Sequence, residues 1–170
     1  MSMVGQYVRL GESTIEEIRT GKVSLEDLLE DEDALEAFEG AADLYLDTAW
    51  QAIHFVLSGE AWATTADPLS KVVLNGNDLS DEHVGYAPAM YLPSTEVPEV
   101  SRALAQVTEE WFRSRFSPAD LAANEIYPGV WDRDETFEEL FGYVYGTFQE
   151  IPPFFAEAER LGQGIVFLIL

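Results

Sequence analysis

The chain closes on residues 164–170, GIVFLIL, a continuous apolar run without a single charge. It is far shorter than the roughly 20 residues that span a bilayer, and it reads as a strand buried on both faces. Residues 3–10, MVGQYVRL, form a second short stretch, apolar and β-branched with loose alternation and bounded by Gly11, and they read as a strand too. Pairing the two ends of the chain gives a small sheet that includes the N- and C-terminal strands and is wrapped by several helices. That is an α+β fold, and a length of 170 residues suits a single domain spanning 1–170.

Between these strands helical signals dominate. Ser13 or Thr14, followed by Glu16 and Glu17, predicts a helix start, and Gly21 closes that helix. In SLEDLLEDEDALEAFEG, residues 24–40, Ser24 is the expected N-cap, and Asp27 is placed to return a carboxylate to it. The stripe Leu25, Leu28, Leu29, Leu35 and Phe38 is discontinuous, so the segment is one broken helix or two short ones. Residues 43–58 read as a core helix: Leu46, Ala49, Trp50, Ile53, Val56 and Leu57 share one face, and Gly59 supplies the C-cap. Asp47, Gln51, His54 and Ser58 form a second, polar stripe on that helix.

Asp67 with Pro68 opens a short helix in DPLSKVVLNG, residues 67–76; NGNDLSDEH, 75–83, reads as a polar loop. Pro88 within GYAPAMYLP, 85–93, restricts that stretch to an edge strand or an extended segment. A helix is expected from Pro93 and Ser94 towards Trp111 and Phe112, followed by a short one capped by Ser117. After a Pro-Gly turn in IYPGVW, the last long helix should begin near Asp134 and be kinked or interrupted by Pro152 and Pro153.

Charge excludes some partners. With 32 acidic residues against 9 basic ones, the formal net charge is −23, which repels nucleic acid and anionic membrane surfaces. No Lys or Arg occurs between Val23 and Lys71, while carboxylates recur from Glu26 to Asp47. That face either attracts a basic protein partner or is a solvated acidic surface. Cysteine is absent, so no disulfide or thiolate ligand can form. With no signal-peptide pattern and no membrane-length apolar run, the expected location is cytoplasmic.

Chemistry-bearing motifs are few. The phosphate loop, the dinucleotide fingerprint, H-E-x-x-H and G-x-S-x-G are all missing. A calcium loop starting at Asn75 fails where Leu79 and Tyr86 stand in ligand positions, so neither a metal nor a cofactor is implied. His54 is the one candidate acid or base, but on a single helix Asp47 would lie roughly 10 Å from it. A second element carrying Glu125, Tyr127, Asp132 or Asp134 would have to complete such a site; otherwise His54 bridges its helix to a neighbouring loop. Ser70 and Tyr127 are hydroxyls that need a base to act, and Tyr127, Trp131, Tyr143 and Tyr145 line either a pocket or the core. The candidate ligand-binding residues are therefore Asp47, Trp50, His54, Ser70, Tyr127 and Trp131.

The succession DTAWQAIHFVLSG (47–59), DPLSKVVLNG (67–76), EIYPGVW (125–131) and GQGIVFLIL (162–170) resembles the YfbM-like family, small bacterial proteins of unknown function. The resemblance runs over nearly the whole chain and implies one α+β domain. It falls on Asp47, Trp50, His54, Leu57 and Gly59, on Pro68, Leu69 and Ser70, and on Tyr127, Pro128 and Trp131. Thr48, where the family often carries a basic residue, and the extreme acidity are departures from its pattern. The family brings no catalytic residues with it. Two functions follow from the residues: a non-enzymatic interaction domain for a basic protein partner, or a small-molecule binding or hydrolytic enzyme using His54.

Overall fold

A computed structural model describes all residues, 1–170. Its centre is the strand Gln163–Ile169 (β5), buried at every position. Gly5–Gly11 (β1) pairs with it antiparallel, Tyr7 opposite Phe167 and Leu10 opposite Gly164, so the two chain ends do meet as neighbouring strands. Ala42–Asp47 (β2), Asp78–Val84 (β3) and Ala87–Leu92 (β4) complete a five-stranded sheet in the order β2-β1-β5-β4-β3, antiparallel throughout.

Alternation along β5 divides the molecule into layers. Ile165, Phe167 and Ile169 join a core cluster of 30 buried residues, whereas Val166 and Leu168 face a smaller one of 11. The smaller cluster is covered by Glu12–Arg19 (α1), Leu25–Glu30 (α2) and Glu32–Glu36 (α3), which bring Ile15, Ile18, Leu25, Leu28 and Leu35. The larger is built from Trp50–Ser58 (α4), Val97–Ala105 (α5), Glu109–Arg115 (α6), Pro118–Ala123 (α7), Phe137–Phe148 (α8) and Ile151–Leu161 (α9). A single 3-10 turn, Pro68–Lys71, follows its Asp67 cap, whose carboxylate accepts from the Leu69 amide.

Local capping chemistry accounts for several boundaries. Ser24 accepts from the Asp27 amide and Asp31 from the Asp33 amide, so residues 25–36 are two short helices. Ser117 accepts from Asp120. Thr136 and Glu139 form a reciprocal capping box, which starts α8 at Phe137. Pro152 and Pro153 fall in the first turn of α9, where helix amides have no intrahelical acceptor, so they separate α9 from α8.

Other boundaries correct the sequence reading. Residues 43–47 are strand: Asp43, Tyr45 and Asp47 are exposed while Leu46 is buried, a period of two that Leu46 and Trp50, four apart, disguise as helical. Asp47 has φ +49 and turns the chain into α4. Residues 78–84 are strand as well. As an edge strand β3 needs only one neighbour and turns mostly exposed polar side chains outward, with Leu79 its one buried residue, so its apolar periodicity is faint. β4 is an inner strand, yet its pairing with β5 spans Met90 to Leu92, and Pro88 lies opposite His83 beyond that ladder. α1 starts at Glu12 on a Gly11 cap with no side-chain hydrogen bond. The stretch from Pro93 to Phe112 is two helices because Thr108 caps a new one through the Trp111 amide.

Candidate functional site

His54 lies mid-α4 with 0% of its surface exposed. The loop after Gly59 folds back over the helix, and Ala63 presents its carbonyl 3.0 Å from Nε2. A carbonyl only accepts, so Nε2 carries a proton. Nδ1 is buried with no partner. Burial pushes the imidazole below its ordinary pKa, and the Ala63 hydrogen bond opposes this only in part. A second proton would sit on Nδ1 with nothing to accept it.

Gln51, one turn earlier, is sealed in the same manner. Its Nε2 donates to the Ala61 carbonyl at 3.1 Å, and its Oε1 accepts from the Tyr127 amide at 2.8 Å. Two members of the supposed polar stripe therefore face backbone groups of neighbouring loops. Ser58 donates to the His54 carbonyl at 2.6 Å within the same helix. Asp47 stands off the helix, exposed at the end of β2, its carboxylate accepting from the Thr48 amide at 2.8 Å.

Trp50 and Tyr127 are brought together. Their rings stack with centroids 6.1 Å apart at 26°, and both hold Met3: Trp50 Nε1 donates to its carbonyl at 3.1 Å, while its amide donates to the Tyr127 hydroxyl at 2.8 Å. Trp62, 60% exposed, packs against Trp50 with ring centroids 5.7 Å apart. Nearby, Thr48 and Tyr143 share a hydrogen bond of 2.5 Å between their hydroxyls. Burial raises the Tyr143 phenol above its ordinary pKa; the Thr48 hydrogen bond lowers it and the Asp47 charge adds to the rise.

Ser70 and Trp131 lie apart from this group. Ser70 is buried and ties its own turn, accepting from the Thr65 amide at 2.9 Å and donating towards the carbonyls of Asp67 and Thr65 at 2.8 and 3.0 Å. Trp131 donates to the Ile126 carbonyl at 2.7 Å and packs edge-on against Phe116. It also lines a shallow cavity of about 270 Å³ with Glu125 and Asp132. No three metal-ligating side chains converge anywhere in the chain, and no helix is long and apolar enough to cross a membrane.

A different concavity lies where α2 and α3 meet the start of β2. Leu28, Leu29, Leu35, Ala41 and Ala42 line a groove of about 290 Å³ with Glu32, Glu36 and Asp43 at its margin. The acidity of this segment is legible in the sequence; the groove is not. The signal lay in the alternation of β2, which a helical reading of residues 43–47 concealed.

A family model described as a domain of unknown function, DUF1877, matches residues 1–168, and the chain belongs to that family. Protein YfbM of Escherichia coli (strain K12) is 25% identical over 173 residues, covering 100% of this chain and 99% of its own. The crystal structure of YfbM from Escherichia coli, a protein of unknown function, matches with a TM-score of 0.75 at 24% identity, over 99% of this chain and 100% of that one. That likeness concerns the fold, an α+β domain of the YfbM-like kind.

Proposed function

We propose that the chain is a non-enzymatic interaction domain whose acidic face engages a basic protein partner. The supporting observation is that the carboxylates from Glu26 to Asp47 have no cationic partner. The five ion pairs of the molecule use Arg19, Lys71, Arg113 and Arg160 with Glu16, Glu96, Glu109, Glu138 and Glu157, all outside this segment. The segment's charge is thus left to solvent and to whatever binds there. An uncompensated field speeds association with an oppositely charged surface and turns away nucleic acid and anionic lipid. We place this role in the cytoplasm. The enzymatic alternative needs a working imidazole, and a buried, neutral His54 facing a carbonyl gives it no support.

The test is affinity capture with the full chain at low and high salt, alongside a variant with the α2 and α3 carboxylates converted to Gln and Asn. Basic proteins retained at low salt, released by salt and missed by the neutralised variant are the expected result. Capture that ignores both salt and neutralisation, or no capture at all, defeats the reading.

A further inference from the structure

Within that acidic face, we propose that the groove between α2, α3 and β2 is the docking seat for an amphipathic, lysine- or arginine-bearing segment of the partner; this rests on the reading above. In this arrangement one aliphatic side chain of the segment enters the groove, and its flanking cations reach the carboxylates and the ring of Tyr45.

Three observations converge on that occupant. The groove has a mixed lining, with five hydrophobic residues, Leu28 and Leu35 buried, beside the exposed carboxylates of Glu32, Glu36 and Asp43 at its rim. At about 290 Å³ it is at or below the small end of pockets that hold drug-sized ligands, and it suits a side chain better than a metabolite. Tyr45 extends the seat. Asp43 pairs with Val8 and Tyr45 with Gln6, so both side chains point to the sheet face on which α2 and α3 lie. Tyr45 is 59% exposed on an edge strand of the sheet, with Asp43 two residues before it on the same face, whereas Asp47 lies past a register shift opposite Gly5. An exposed aromatic beside a carboxylate attracts a guanidinium or ammonium through both its π face and that charge. A purely cationic partner would have no use for the part-exposed Leu29, Ala41 and Ala42, and an apolar partner without cations would leave the rim unmatched.

The experiment measures binding of two labelled synthetic peptides to the full-length chain by fluorescence anisotropy. Both are lysine-rich; one carries a central leucine and the other serine in its place. The leucine peptide is expected to bind about tenfold more tightly, the gain from burying one aliphatic side chain. Leu29→Glu should erase that preference without weakening the serine peptide, because it blocks the groove while adding negative charge. Tyr45→Ser, at an exposed position that does not threaten folding, should weaken both peptides several-fold. Equal, salt-sensitive binding of the two peptides overturns the groove proposal and leaves the acidic-face reading standing. Binding of neither peptide at low salt overturns both.

Discussion

The indole of Trp50 and the phenol of Tyr127 clasp one residue between them: Met3 accepts from the indole through its carbonyl and donates to the phenol through its amide. Residues 124 positions apart in sequence, Met3 and Tyr127, are joined by one of these bonds, and the chain entry into β1 is anchored to the loop before α8. Two side chains that sequence reading marked as ligand candidates thus have a mechanical role.

Tyr127→Phe keeps the ring stack and removes only the hydroxyl. The Met3 amide then loses its acceptor, and stability should fall by about 1 kcal/mol. Urea denaturation of the two proteins measures this as a lower midpoint with an unchanged slope. An unchanged midpoint would mean that solvent replaces the hydroxyl at no cost.

His54 should make the fold sensitive to mild acid. Its folded pKa is below the ordinary value of about 6.5, so below that pH the unfolded chain takes up a proton that the folded chain refuses. Its contribution is fully present above about pH 6.5 and is lost as pH falls towards the depressed folded value. His54→Gln keeps a donor for the Ala63 carbonyl and cannot titrate, so its stability should change less between pH 7.5 and 5.5 than that of the parent. Parallel stability curves for the two proteins would show that burial does not depress this imidazole.

Glu125 occupies a position that favours glycine. With φ +53 it follows the Asn124 cap of α7, while Glu125 and Ile126 donate to the carbonyls of Ala122 and Leu121 in the pattern of a Schellman turn. A left-handed conformation costs an L-residue about 1–2 kcal/mol, and glycine's extra unfolded-state freedom returns about 0.5–1 of that. Glu125→Gly should therefore stabilise the protein by about 0.5–1 kcal/mol, read as a rise in the thermal midpoint. A fall would show that the Glu125 side chain makes a stabilising contact that outweighs its backbone strain.

Legibility in the sequence followed the range of the interactions. β5 could be recognised because a strand covered on both faces is apolar at successive positions, and GIVFLIL carries that pattern whatever surrounds it. Ser24, Asp67 and Ser117 marked helix starts because a cap bonds to amides two or three residues away. β2 and β3 were hidden because each lies at an edge of the sheet, where one side is solvated and alternation is diluted by polar side chains.

The α+β class, the pairing of the two chain ends, the helix caps at Ser24, Asp67 and Ser117 and the negative sign of the net charge are legible in the sequence. The class, caps and charge rest on composition and on contacts between near neighbours, and the paired ends on two apolar stretches that each read as strand. Tertiary structure decided where the stripe residues of α4 point and what meets them. Gln51 and His54 look solvent-facing beside Trp50 in the helical pattern, yet the loop through Ala61 and Ala63 folds over them and supplies carbonyls that only a long-range arrangement could bring. The groove beside Tyr45 has the same origin: its walls come from two helices and a strand edge, and a concavity exists only once separate elements are packed.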